Sequence, residues 1–209
     1  MIRKSIRLIA AAAVLAAITS SAQAALLHNG TGLANPQQVI DFDSIPLIDN
    51  QPVTNEFASL GLAFESAYAN ADTMSPFKNI SGNRIGNFQW GVSASDSFAI
   101  HFAAPVMAGA WAMATSDGAT SYLEAYLQGK LVESAAVPTA LSDPINFYGF
   151  TGIVFDELRM RASGGIDRAL IIDNLQMVAA STLPEPTSIS LLLACLVALR
   201  LSGRNRSRR

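Results

Sequence analysis

Short segments that alternate apolar and polar residues, cut by turn dipeptides, constrain the fold of this chain more than any other feature. Ile40 and Phe42 share one face of 39–43. Leu60, Leu62 and Phe64 share one face of 60–65. Phe98, Ile100 and Phe102 share one face of 97–102, with His101 opposite. This spacing is that of half-buried strands, because successive side chains of a strand point to opposite faces. Asp117-Gly118 separates 106–115 from 119–127, and Gln128-Gly129 separates that segment from 131–135. Both dipeptides suit hairpin turns, the Asp-Gly pair more strongly. Ser163-Gly164-Gly165 then divides 157–162 from a last strand over 168–178. Residues 55–59 fit one helical turn, and no long helix is evident. The pattern predicts an all-β domain over 39–179, an antiparallel two-sheet β-sandwich of jelly-roll type. Residues 25–38, rich in turn formers, read as a lead-in loop.

The two ends differ in composition from this middle. The front carries Arg3, Lys4 and Arg7, an apolar run from Leu8 to Ile18, and then Ala22-Gln23-Ala24. A positive start, a short apolar segment and a small-residue exit are the parts of a secretory signal, so 1–24 is expected to be a signal helix removed by signal peptidase after Ala24. The back carries Pro184-Glu185-Pro186, an apolar stretch over 189–199, and then Arg200, Arg204, Arg206, Arg208 and Arg209. The prolines disfavour helix before them, and Thr187 or Ser188 can cap a hydrophobic helix after them. The arginines would hold its end on the cytoplasmic side.

This tail, 180–209, resembles the PEP-CTERM sorting signal, whose parts are a Pro-Glu-Pro motif, a hydrophobic helix and an arginine cluster. Arg200 interrupts the apolar stretch, which departs from the pattern. The resemblance implies recognition by an exosortase, a membrane-embedded cysteine protease, with transient anchoring in the inner membrane, cleavage near the motif, and release to the cell surface or matrix. It also associates the chain with exopolysaccharide and biofilm. The segments 41–64 and 150–175 are similar to the opening and closing strands of many PEP-CTERM sandwich proteins, domains that look like galactose-binding or carbohydrate-binding-module jelly rolls.

Charge narrows the partners. The chain has 14 Lys+Arg and 16 Asp+Glu, but residues 25–183 keep only 6 of the former and 15 of the latter, a net of −9. Nucleic acid phosphates would repel such a domain. The one cysteine, Cys195, lies in the tail, so no disulfide can staple the sandwich.

Few residues suggest chemistry. The sequence has no Gly-x-Ser-x-Gly, no phosphate loop and no His-Glu-x-x-His. His28 and His101 are too few and too far apart for a zinc site. Asp41 with Asp43, and Asp156 with Glu157, are acid pairs of the type a glycosidase needs, but spacing along a chain does not set their separation. Strict alternation puts Asp173 on one face with Ile171, Leu175 and Met177, which drags the carboxylate inward or forces a bulge. A buried carboxylate needs a cation, an arginine or amide donors. The jelly-roll resemblance implies a structural calcium here, held by Asp41 or Asp43 with Asp173 and Asn174. The alternative is that Asp173 pairs with Arg168 or caps a loop. Tyr122 and Tyr126 lie on the face of 121–127 opposite Leu123 and Leu127 and could stack on sugar rings, or simply pair across strands. Trp111 reads as core, and Trp90 as a residue at a strand end. Three functions compete: a glycan-associated surface protein without catalytic activity, a purely structural or adhesive protein, and a secreted hydrolase.

Overall fold

The structure is a computed structural model and describes residues 25–71, 77–90, 94–164 and 168–180. The expected signal helix, 1–24, and the Pro-Glu-Pro motif, hydrophobic helix and arginine cluster of 181–209 lie outside the described residues. The strands are β1 (Ala25–Asn29), β2 (Gln38–Ile40), β3 (Pro52–Val53), β4 (Leu62–Glu65), β5 (Ala67–Asn70), β6 (Arg84–Gly86), β7 (Phe98–Thr115), β8 (Ala119–Leu127), β9 (Lys130–Thr139), β10 (Phe147–Gly164) and β11 (Leu170–Ala179). A single 3-10 turn, Ala58–Leu60, stands where one helical turn was expected, and it ends on Gly61 with φ 80°. All ladders are antiparallel, as the sandwich requires.

Hydrogen bonding runs continuously through the strands because β7 and β10, each 18 residues long, belong to both layers. The second half of β7, from Val106 onward, pairs with β11, and its first half pairs with β4. The first half of β10 pairs with β1, and its second half pairs with β8. One layer therefore runs β3, β5, β6, β11, β7, β10, β1, and the other β4, β7, β10, β8, β9. The register between β7 and β10 shifts between Thr151 and Glu157, beside Gly152 with φ 75° and opposite Pro105. Bulges, Gly and Pro bend strands without ending them. The breaks read from the sequence before 106 and before 157 are such bends.

The inner faces meet in one core. Trp111, Met113, Phe150 and Ile172 come from the first layer, and Phe64, Ile100, Leu123, Leu158 and Met160 from the second. The alternation read at Phe98, Ile100 and Phe102 places all three in it. Trp111 is fully buried, as expected. The first layer is buried on its outer face as well. Ala110, Ala112, Ala114, Phe147 and Ile171 pack there against Ile80 and the partly buried Leu33, Phe77 and Phe88. Small alanines on β7 allow that cover to approach closely. Among the described residues, the outer face of the second layer has no such cover.

The lead-in assignment for 25–38 needs correction, because 25–29 form the edge strand β1. The His28 ring stacks on Tyr148 at 4.5 Å between centroids, and Tyr148 donates its hydroxyl to Asp143 at 2.9 Å. His28 itself lies 3.6 Å from the same carboxylate. Asp143 is 115 residues from His28 in the chain, so nothing in the local sequence announced this clamp.

Candidate functional site

Asp41, Asp43 and Asp173, three of the acidic residues singled out by the sequence, gather on the covered side of the first layer. The bulge alternative is the one realised. Asn174 adopts φ 50°, and the register against β7 gains one residue between Asp173 and Gln176. Ile171 and Asp173 therefore point to the covered outer face, while Leu175 and Met177 return to the main core. Asp173 is fully buried. It accepts the amides of Ser81 at 2.9 Å and Asn174 at 2.6 Å. Burial pushes its carboxyl up to about 7; the two amides oppose that rise, and the nearby Asp43 and Asp41 add to it.

Asp43 and Asp41 also hold backbone. Asp43 accepts the amide of Asn83 at 2.7 Å, and Asp41 accepts that of Asp43 at 3.1 Å. Gly82, with φ 66°, is required between these contacts, because a Cβ there would run into the Asp43 carboxylate. Asn174 donates to the Asn79 carbonyl at 2.8 Å. Two carboxylates, Asp173 and Asp43, thus clamp the 79–83 turn over the sheet, and Asp41 holds the backbone of Asp43. The residues of the expected calcium set, Asp41, Asp43, Asp173 and Asn174, lie near one another. Among the described residues no group of three or more His, Cys, Asp and Glu side chains is placed to hold a metal ion, and the carboxylate oxygens are turned to amides instead. The Asp173–Arg168 pair does not form, since Arg168 engages Asp96. Asp173 instead caps a loop through the Ser81 amide.

The acid pair Asp156 and Glu157, weighed for glycosidase chemistry, is engaged by neighbouring groups. Asp156 accepts the amide of Gln128 in the β8–β9 turn, at 3.0 Å, whereas Glu157 is bound to Arg159.

The open outer face of the second layer is the stronger candidate. Registers place its side chains in rows across the strands. Ala63, His101, Glu157, Tyr126 and Leu131 form one row. Glu65, Ala99, Arg159, Glu124 and Ser134 form the next, and Arg161, Tyr122 and Ala136 the one after. Tyr122, Glu124 and Tyr126 all lie half-buried on this face, opposite the buried Leu123, as alternation predicted.

Each tyrosine is met by an arginine from β10. The Arg161 guanidinium carbon lies 3.7 Å from the centre of the Tyr122 ring, and that of Arg159 lies 4.6 Å from Tyr126. A guanidinium over a tyrosine face is attracted by the ring quadrupole. The stacking platform expected of Tyr122 and Tyr126 is therefore roofed on one side of each ring by an arginine. Tyr126 donates to Glu124 at 2.8 Å, and this bond, ahead of burial, raises its phenol above the usual range. Glu157, largely buried, holds Arg159 and lies 3.8 Å from His101, which faces Glu65 at 3.6 Å on its other side. The hydrogen bond to Glu157 raises Arg159 further above its ordinary value. His101 points away from the core, as read from the sequence.

Sequence reasoning missed Arg159, Arg161 and Glu157 as partners of the tyrosines. The available signal was their own alternation along 157–161, which puts all three on one face, but the β8–β10 register that joins them to the tyrosines is not local information. Trp90 is 53% exposed, and Asn50 pins its backbone amide at 2.6 Å.

No protein-family model matches the chain, and no curated protein does. Among solved structures, the chain is similar to the TmCBM61 module solved in complex with β-1,4-galactotriose, with 12% identity over 73% of this chain and 99% of that one, at a TM-score of 0.40. It is similar to the K1 cleaved adhesin domain of Lys-gingipain from Porphyromonas gingivalis W83, with 12% identity over 76% and 99% of the two chains, at a TM-score of 0.34. A third structure, the enzymatically active domain of tailspike protein 4 from bacteriophage CBA120, matches 64% of this chain but 22% of its own length, at 9% identity and a TM-score of 0.32. Likeness at these levels transfers no ligand and no activity to this chain.

Proposed function

We propose that this chain is an exported, surface- or matrix-associated protein without catalytic activity, whose sandwich binds glycan on the open face of its second layer. The observation that carries the reading is the asymmetry of the two outer faces. One is sealed under the 77–88 segment, and the other displays, among the described residues, His101, Tyr126, Arg159, Glu124, Arg161 and Tyr122 in adjacent rows. Planar donors and acceptors fixed by one another are suited to reading sugar hydroxyls, since little rotamer freedom remains to be lost on binding. The Pro184-Glu185-Pro186 tail and the front of the chain support export with signal peptidase and exosortase processing, and exopolysaccharide is the ligand class that such sorting makes relevant. A glycan array probed with the exported mature protein tests the binding half: retention on defined saccharides is expected, and uniform absence of retention would overturn it. Mass spectrometry of surface material tests the sorting half. The mature chain is expected to begin at Ala25 and end near Pro184, and recovery of intact 204–209 would contradict that.

A further inference from the structure

The two arginine–tyrosine stacks on the open face are chemically unequal. Arg159 is already engaged, because its guanidinium is bound to Glu157 as well as lying over Tyr126. Arg161 is exposed and makes no ion pair among the described residues; its partner is the Tyr122 ring. This is unusual in a domain with 15 acids and 6 cations, where carboxylates are abundant. On one side the neighbours of Arg161 are neutral: Tyr122 and Ala136 share its row, and Ser163, Thr120 and Pro138 form the next, while the row on its other side carries Glu65, Arg159 and Glu124. The acids of the face, Glu65, Glu124 and Glu157, lie in the other rows.

We infer that Arg161, held flat by Tyr122, is a subsite for a carboxylate carried by the glycan. A guanidinium fork binds a carboxylate through two parallel N–H donors, and stacking leaves its outward edge available to do so. The ligand class is a largely neutral saccharide bearing isolated acidic groups, such as single uronic acid residues. A densely charged polyuronate would meet the rest of the acidic domain and be repelled beyond the one subsite, although salt limits that repulsion to roughly 10 Å. Tyr122 acts as a positioning residue, since it fixes the plane of the fork.

This inference rests on the glycan-binding reading of the same face, and its test separates the two. The exported mature protein is applied to an array of matched pairs, each a neutral oligosaccharide and the same backbone with one galacturonate or glucuronate. The carboxylated member is expected to bind on the order of tenfold more tightly at low salt, the scale of a hydrogen bond to a charged group. Arg161→Ala should erase that preference while leaving residual binding of the neutral member. Arg161→Lys should restore only part of it, because an ammonium lacks the fork. Tyr122→Phe should keep the preference, and Tyr122→Leu should weaken it by freeing the arginine. Arg161 is exposed, so its variants are expected to melt like the wild type. Equal binding of both members, or a preference that survives Arg161→Ala, would overturn the subsite and leave glycan binding standing. Binding of neither member would overturn both.

Discussion

The buried carboxylate of Asp173 accepts the backbone amide of Ser81, 92 positions away in the chain, at 2.9 Å. This contact ties the 79–83 turn to β11 and makes the cover of the first layer sensitive to the protonation state of one acid. Asp173 is raised from an ordinary 3.8 to about 7, chiefly by burial. An acid raised on folding contributes its stability fully below the unfolded value and has lost it once pH has risen through the folded value. Between about pH 4 and about pH 7 the protein should therefore lose stability through this group, by on the order of 1 kcal/mol for each pH unit. Asp173→Asn keeps one acceptor and gives up the other, so it should cost about 1–3 kcal/mol at low pH. Its melting temperature should nonetheless vary less than that of the wild type across that window. Melts in the presence of a chelator check this, and parallel pH profiles for the two proteins would refute it.

The bulge at Asn174 depends on a left-handed backbone. Its φ of 50° suits Asn or Gly, and its side chain adds a bond to the Asn79 carbonyl. Asn174→Val should destabilise by about 2–3 kcal/mol, from backbone strain and the lost bond together. Asn174→Gly should lose only the bond. Urea denaturation of both variants checks the order, and equal losses would contradict it.

A third outcome concerns β1. Burial acts to raise the Asp143 carboxyl, but the Ile145 amide, the Tyr148 hydroxyl and His28 together hold it below the usual carboxylate range. An acid depressed on folding lends stability above its unfolded value and loses it as pH falls through the folded one. Tyr148→Phe removes the hydroxyl from Asp143 and leaves the ring stack with His28 in place. It should cost about 1 kcal/mol and speed amide exchange at 25–29 before it affects β7. Unchanged exchange at 25–29 would show that the clamp does not hold the strand.

These contacts show where the sequence speaks and where it does not. Alternation at Phe98, Ile100 and Phe102 reports burial directly, because each strand residue carries its own face. The turns at Asp117-Gly118 and Gln128-Gly129 are equally local: Gly118, Gln128 and Gly129 all take positive φ, as such hairpins demand. The edge strand β1 escaped notice because Leu26 is exposed and the partners of His28 are distant. The bends in β7 and β10 look like strand ends, since Pro105 and Gly152 punctuate both. On the candidate face, Tyr122 and Tyr126 were legible from alternation, but their arginines were not. Pairing Tyr122 with Arg161 requires the β8–β10 register, which tertiary packing sets and no dipeptide encodes.

Binding on the open face is the central claim, and calorimetric titration of one array-selected saccharide tests it most directly. The titrated proteins are the mature wild type and Tyr126→Ala, a half-buried position on that face whose loss leaves the core untouched. Removing Tyr126 takes away the ring under Arg159 and the donor to Glu124 together. The account predicts a Kd weaker by roughly tenfold or more, with little change in melting temperature. An unchanged Kd in a folded Tyr126→Ala protein would contradict it and place the ligand elsewhere on the domain.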